Sequence, residues 1–142
     1  MADRTASVTW SGSLLEGAGS ITSVGSGAFG PLDVTWSSRT EESGGLTSPE
    51  ELVAAAHAAC FSMALAHGLA QGGTPPEQLD TSATVTFVPG TGVTKIALTV
   101  RGTVPGMGEA AFVEAAEGAR ENCPLSKALA AVPEITVDAS LA

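Results

Sequence analysis

Two cysteines are the residues of this chain best suited to covalent chemistry, Cys60 and Cys123. They stand sixty-three positions apart, so there is neither a Cys-x-x-Cys redox motif nor a local zinc loop. Cys60 lies in the run Ala58-Ala59-Cys60-Phe61-Ser62-Met63. In such surroundings a cysteine is commonly a small core hydrophobe, and desolvation raises its thiol pKa. A reactive Cys60 therefore needs a cation from elsewhere. Of the six basic residues, Arg39 is the best placed. It ends a strand and opens the loop into the Cys60 helix, and a guanidinium stays charged even when buried. Arg39 reads equally as a surface arginine at a strand end. Cys123 precedes Pro124 at a helix N-cap, where free N–H groups and the positive dipole end lower a thiol pKa. Local physics makes Cys123 the better thiolate and Cys60 the poorer one. The plainer alternative for Cys123 is a helix-capping residue that happens to be cysteine.

The other chemical groups cluster around Cys60. On a helical wheel His57, Cys60, His67 and Gln71 fall within roughly a quarter of the circumference. They make one polar seam on an otherwise apolar helix. His57 and Cys60 at i and i+3 supply only two metal ligands, and structural histidines are the commoner outcome. His57 is also placed to tune the Cys60 thiol. Glu50 precedes Cys60 by ten residues, about 15 Å of helical rise, so the two cannot touch within one helix. Either an extended Arg39 relays between them, or the antiparallel helix of a partner subunit brings its own Glu50. A plainer role for Glu50 is to complement the dipole in the first helical turn.

The elements that must position these residues follow from pattern and punctuation. Ala6–Trp10, Ser20–Val24 and Leu32–Ser37 alternate as short strands, with Gly17–Gly19 turning between the first two. Ser48 is the N-cap of the main helix, Pro49 its first residue, and Glu51 completes a capping box. That helix runs to Ala70 or Gln71 and stops at Gly72-Gly73. It carries no charge after Glu51, and a helix apolar nearly all round is a buried one. Its many alanines keep it slim, so its place is the middle of the protein or of a dimer. Leu79–Val88 and Val93–Val104 are strands around a Pro89–Gly92 turn. Glu109–Asn122 is a helix, Cys123–Leu129 opens a short one, and Ile135–Ala139 is the last strand. The order βββ-α-ββ-αα-β is an α+β chain of antiparallel sheets around the long buried helix.

Composition narrows the function. The chain has 142 residues, 44% hydrophobic and 15% charged. This suits a single domain over 1–142 and excludes a disordered chain. The net charge of −9 repels phosphate backbones and anionic membranes. Aromatic residues are 4% and tyrosine is absent, which argues against base-stacking platforms. His57, Ser62 and His67 interrupt the longest apolar run, so no membrane span is expected. The first residues lack an apolar signal region, and the expected location is cytoplasmic. No phosphate-binding, dinucleotide or Gly-x-Ser-x-Gly fingerprint occurs.

The stretch Thr47-Ser48-Pro49-Glu50-Glu51-Leu52-Val53-Ala54-Ala55-Ala56-His57-Ala58-Ala59-Cys60-Phe61-Ser62-Met63-Ala64-Leu65 resembles the central helix of the OsmC/Ohr family of small bacterial thiol peroxidases. Glu121-Asn122-Cys123-Pro124-Leu125-Ser126 resembles that family's second cysteine motif, and the likeness extends over essentially the whole chain. The resemblance implies an intertwined homodimer with two long central helices and two active sites at the interface. It makes Cys60 the peroxidatic nucleophile and Cys123 the resolving thiol, joined as a disulfide after a sulfenic acid. It assigns activation of the thiolate to an arginine and a glutamate. The stretch Ser13–Ser20 lacks the arginine of the Ohr branch, whereas Ser37-Ser38-Arg39-Thr40 matches the OsmC branch, so Arg39 and Glu50 take these roles. Where that branch often reads Asn-Pro-Glu-Glu, this chain has Ser48, which keeps the cap. The resemblance overrules the local ranking of the two thiols. It also implies a preference for organic hydroperoxides over hydrogen peroxide, no bound cofactor, and a dithiol reductant such as dihydrolipoamide or a lipoylated protein. The rival readings are a non-catalytic dimeric ligand-binding protein and a thiol redox sensor.

Overall fold

Hydroxyl chemistry at residue 35 decides the first departure from the expected pattern. The computed structural model describes residues 1–142, and the chain forms two compact units, Met1–Leu52 and Val53–Ala142. In the first unit, strands β1 (Ala6–Ser11), β2 (Ala18–Val24) and β3 (Leu32–Val34) form an antiparallel sheet in the order β1-β2-β3. Trp10 pairs with Gly19, and a Cβ on Gly19 would lie 2.6 Å from the indole, so only glycine lets that ring lie across the neighbouring strand. The third strand was expected to reach Ser37 but stops at Val34. Thr35 instead caps a short helix, α1 (Trp36–Thr40). Its hydroxyl accepts from the Ser38 N–H at 3.1 Å, and the Ser38 hydroxyl accepts from the Thr35 N–H at 3.0 Å. This reciprocal pair satisfies two end groups at once and outweighs a three-residue extension of strand alternation. Arg39 therefore sits in the last turn of a helix, not at a strand end.

The main helix α2 (Pro49–Gln71) starts in the first unit and continues in the second, with the expected boundaries. The Ser48 hydroxyl accepts from the Glu51 N–H at 3.1 Å. The return half of the expected capping box is replaced, because the Glu51 carboxylate accepts from the Thr47 hydroxyl at 3.0 Å. By length and composition α2 would suffice to cross a membrane, contrary to the expectation from its polar interruptions. Within this chain only one of its faces enters a core. His57, Phe61, Leu65 and Leu69, spaced by four, line one buried face. The opposite face is not covered: Ala55, Ala59 and Met63 are exposed, Met63 at 72%. Burial all round, as the apolar pattern predicted, is thus met on one side only within this chain.

In the second unit β4 (Gln78–Val88) and β5 (Gly92–Thr103) form an antiparallel hairpin with a bulge at Thr86/Phe87. Helices α3 (Glu109–Asn122) and α4 (Pro124–Ala128) follow, then β6 (Glu134–Leu141). The sheet order is β4-β5-β6, and β6 runs parallel to β5. This corrects the purely antiparallel expectation: α3 and α4 together supply the crossover length that a parallel return requires. Phe61, Leu65 and Leu69 of α2 pack with Leu98 and Val100 of β5 and with Phe112, Ala116 and Ala119 of α3. Each fully buried large side chain of this set contributes about 1.5–3 kcal/mol. Cys123 belongs to the same buried cluster.

Candidate active site

Two helices bring the thiols together. Cys60 sits midway along α2 and is partly buried, while Cys123 is fully buried at the junction of α3 and α4. The junction residue serves both helices. Its N–H donates to the Ala119 carbonyl at 2.8 Å, and its own carbonyl accepts from the Lys127 N–H at 3.1 Å. Pro124 begins α4 at the position where a missing N–H costs nothing. Both cysteines are free thiols; Cys60 packs against the buried cluster that includes Cys123, close enough for each sulfur to shift the other's pKa. Residues far apart in sequence are thereby placed as neighbours.

The two sulfurs differ in acidity. Burial pushes the Cys60 thiol up, only partly opposed by the Leu125 N–H, and the neighbouring Cys123 sulfur adds to the rise. Burial also acts on Cys123, but its net shift is downward. The N–H groups of Ser126 and Leu125, the Cys60 thiol and the Ser126 hydroxyl together outweigh desolvation. No side-chain capping hydrogen bond of standard geometry forms at Cys123, yet these donors lie close enough to stabilise its anion. The local reading of Cys123 as the better thiolate therefore holds within this chain.

Ser126 is the site residue that sequence reasoning missed. It is buried, and its hydroxyl lies 2.7 Å from Nε2 of His57, which is itself fully buried. The available signal was positional. Ser126 is three residues after the N-cap, where a side chain turns back toward the cap. His57 thus meets Ser126, not a metal cluster or an exposed seam, and burial holds its imidazole pKa down. His67 and Gln71, grouped with it on the wheel, are exposed. A cleft of about 500 Å³ in the second unit is lined by Ala64, His67, Gly68, Ala115, Gly118, Ala119, Asn122 and Pro124. Ala64 is one turn beyond Cys60, and Asn122 and Pro124 flank Cys123 in the chain.

Arg39 and Glu50 meet within the first unit. The guanidinium donates to Glu50 Oε1 from Nη2 at 2.7 Å and from Nε to both carboxylate oxygens at 3.0 Å. The pair is largely withdrawn from water, with side-chain exposures of 30% for Arg39 and 10% for Glu50. The Arg39 guanidinium carbon also lies 5.8 Å from the centre of the Trp36 ring, within cation–π range. Glu50 stands in the first turn of α2, where the dipole favours its charge. The expected association of Arg39 with Glu50 is therefore present, eleven residues apart in sequence.

Comparison with known proteins gives a consistent result. A family model described as OsmC-like protein matches residues 42–138. Peroxiredoxin OsmC of Escherichia coli (strain K12) is 40% identical over 135 residues, covering 93% of this chain and 92% of that protein. Among solved structures, the organic hydroperoxide resistance protein OhrB of Bacillus subtilis is 25% identical, with a TM-score of 0.62 and coverage of 97% and 98%. An OsmC-like protein from Mycoplasma pneumoniae shares the fold at 16% identity and a TM-score of 0.68, covering 99% of both chains.

Proposed function

Since the chain belongs to the OsmC family and is a thiol-dependent peroxidase of the peroxiredoxin type, we propose that it reduces organic hydroperoxides through Cys60 and Cys123. The observation that carries this reading is the packing of Cys60 against the buried cluster that holds Cys123, both as free thiols. The Cys60 thiolate attacks the terminal peroxide oxygen, the O–O bond breaks, and the alkoxide takes a proton to leave as the alcohol. Cys60 is left as a sulfenic acid. Cys123 then attacks that sulfur, a disulfide forms, and hydroxide departs to become water. A dithiol of the dihydrolipoamide class, free or carried on a lipoylated protein, restores both thiols. The electrons come from sulfur throughout, so the cycle needs no bound cofactor. A disulfide that is reopened at every turnover suits a reducing compartment, the cytoplasm.

Burial raises the Cys60 pKa, so attack there requires a cation. Arg39 takes that role, held in orientation by its three contacts to Glu50. Helical rise separates Glu50 from Cys60 along α2, so the reading includes a homodimer whose antiparallel helices bring the Arg39–Glu50 pair of one copy to Cys60 of the other. The uncovered Ala55–Ala59–Met63 face and the exposed Val8, Trp10 and Leu15 supply apolar surface for such an interface. The cleft of small side chains beside Ala64 and Pro124 suits an organic tail, which favours organic hydroperoxides over hydrogen peroxide.

The test is steady-state consumption of cumene hydroperoxide and hydrogen peroxide, with dihydrolipoamide as reductant, on the dimer identified by sedimentation. Wild type is expected to consume the organic peroxide faster, and Cys60→Ser to consume neither. Turnover unchanged in Cys60→Ser would remove Cys60 from the mechanism, and a monomer in sedimentation would remove the shared site.

A further inference from the structure

The peroxidase cycle leaves two buried polar groups of the second unit without a task, the imidazole of His57 and the hydroxyl of Ser126. They meet beside Cys123, the N-cap of the short helix in whose first turn Ser126 lies. His57 Nε2 and Ser126 Oγ are 2.7 Å apart, whereas Nδ1 on the other side of the ring has no partner. A buried N–H without an acceptor is rarer than a buried acceptor without a donor. The ring proton therefore sits on Nε2 and is donated to Ser126 Oγ. The Ser126 hydroxyl keeps its own proton to donate, and Ser126 is buried three residues after the N-cap Cys123, where a side chain turns back toward the cap. The Leu125 and Ser126 N–H groups of the same turn, the Cys60 thiol and the Ser126 hydroxyl lower the Cys123 pKa against its burial, and no charged side chain is among them. Cys123 is fully buried, while Cys60 is only partly so.

We propose that His57 and Ser126 are positioning residues that hold Cys123 as the thiolate when it attacks and make it the leaving group when the disulfide is reduced. Its place in a catalytic cycle rests on the peroxidase reading above; its thiol chemistry does not. In the reductive step a thiolate of the dithiol attacks the more accessible sulfur, Cys60. The Cys60–Cys123 bond breaks, and its electron pair stays on Cys123. The second sulfur of the dithiol then displaces Cys60 from the mixed disulfide. The protein gains two electrons, and the dithiol leaves as a cyclic disulfide. A leaving thiol of lower pKa departs faster, so donors gathered on Cys123 set both the rate and the direction of exchange.

The experiment uses Cys60→Ser, in which Cys123 is the only thiol. The chain has no tyrosine, so the ultraviolet absorption of the thiolate is read against pH without tyrosinate overlap. Adding Ser126→Ala, which deletes a single oxygen, is expected to move the titration midpoint upward. At a fixed pH below the midpoint this lowers the thiolate fraction about tenfold, the effect of one lost hydrogen bond to an anion. His57→Leu is expected to move it the same way by less, and Ser126→Thr to restore it. An unchanged midpoint in Ser126→Ala would overturn the proposal. In the oxidised two-cysteine protein, a mixed disulfide trapped with 2-mercaptoethanol is expected on Cys60, and finding it on Cys123 would overturn the assigned direction. The titration uses no peroxide, so it decides the pair whether or not Cys60 proves peroxidatic.

Discussion

Removing Arg39 should cost more than removing the charge of its partner, and the asymmetry follows from burial. Arg39→Met leaves the Glu50 carboxylate, 10% exposed, without its three guanidinium contacts. Breaking a fully buried pair in this way costs about 3–5 kcal/mol. Arg39 is 30% exposed, and Glu50 keeps the dipole of α2, worth about 0.3–1 kcal/mol. Both facts reduce the expected loss to about 2–3 kcal/mol. Glu50→Gln leaves an amide oxygen that still accepts from Arg39, and a guanidinium that reaches water more easily. Its expected cost is about 1 kcal/mol. The double variant should lose less than the sum of the two, with a coupling of about 1–2 kcal/mol. The assay is urea unfolding of all four proteins at one protomer concentration, since the proposed dimer would link stability to concentration. In a thermal scan Arg39→Met should melt about 8 °C lower, at roughly 3–4 °C per kcal/mol for a chain of this size. Equal and additive costs for the two single variants would refute the reasoning, because they would show that neither side chain is held in place for the other.

Two further outcomes test the second unit. Gly102→Ala would place a Cβ 2.6 Å from Cζ of Phe112 and 3.2 Å from a methyl of Leu79. Phe112 is fully buried and Gly102 is paired on both sides, so the expected loss is about 1–3 kcal/mol by urea unfolding. Adding Phe112→Leu should return part of it, and an unchanged Gly102→Ala would contradict the close packing described. His57 is kept neutral by burial, with its pKa below the ordinary 6.5. As pH falls through about 6.5 the unfolded chain takes up a proton that the folded chain refuses, so stability declines down to the folded pKa. His57→Phe should flatten that acid slope in unfolding measured from neutral to acid pH, and an identical slope would exclude His57 as its source.

Much of the architecture was legible because its causes are local. Ser48, Pro49 and Gly72-Gly73 bound α2 by capping and backbone freedom within a few residues, and the observed helix obeys them. The acidity of Cys123 was legible for the same reason, since its N–H donors belong to the turn it begins. The run from Thr47 to Leu65 together with the Cys123 motif was enough to indicate the family. Where two local signals competed, the reading failed. Alternation suggested a strand through Ser37, but the Thr35–Ser38 hydroxyl exchange turns that segment into a helix and changes the setting of Arg39.

Tertiary structure decided everything that depends on a distant partner. Apolar periodicity states that α2 seeks burial, not what buries it, and within this chain only the His57–Leu69 face is covered. The parallel placement of β6 against β5 follows from how α3 and α4 carry the chain back, which no strand pattern encodes. His57 was visible on the wheel beside Cys60, yet its partner is Ser126, sixty-nine residues away. That pairing exists because two helices meet around Cys123. A residue's type states which contacts it could make, and only the packing of the elements selects among them.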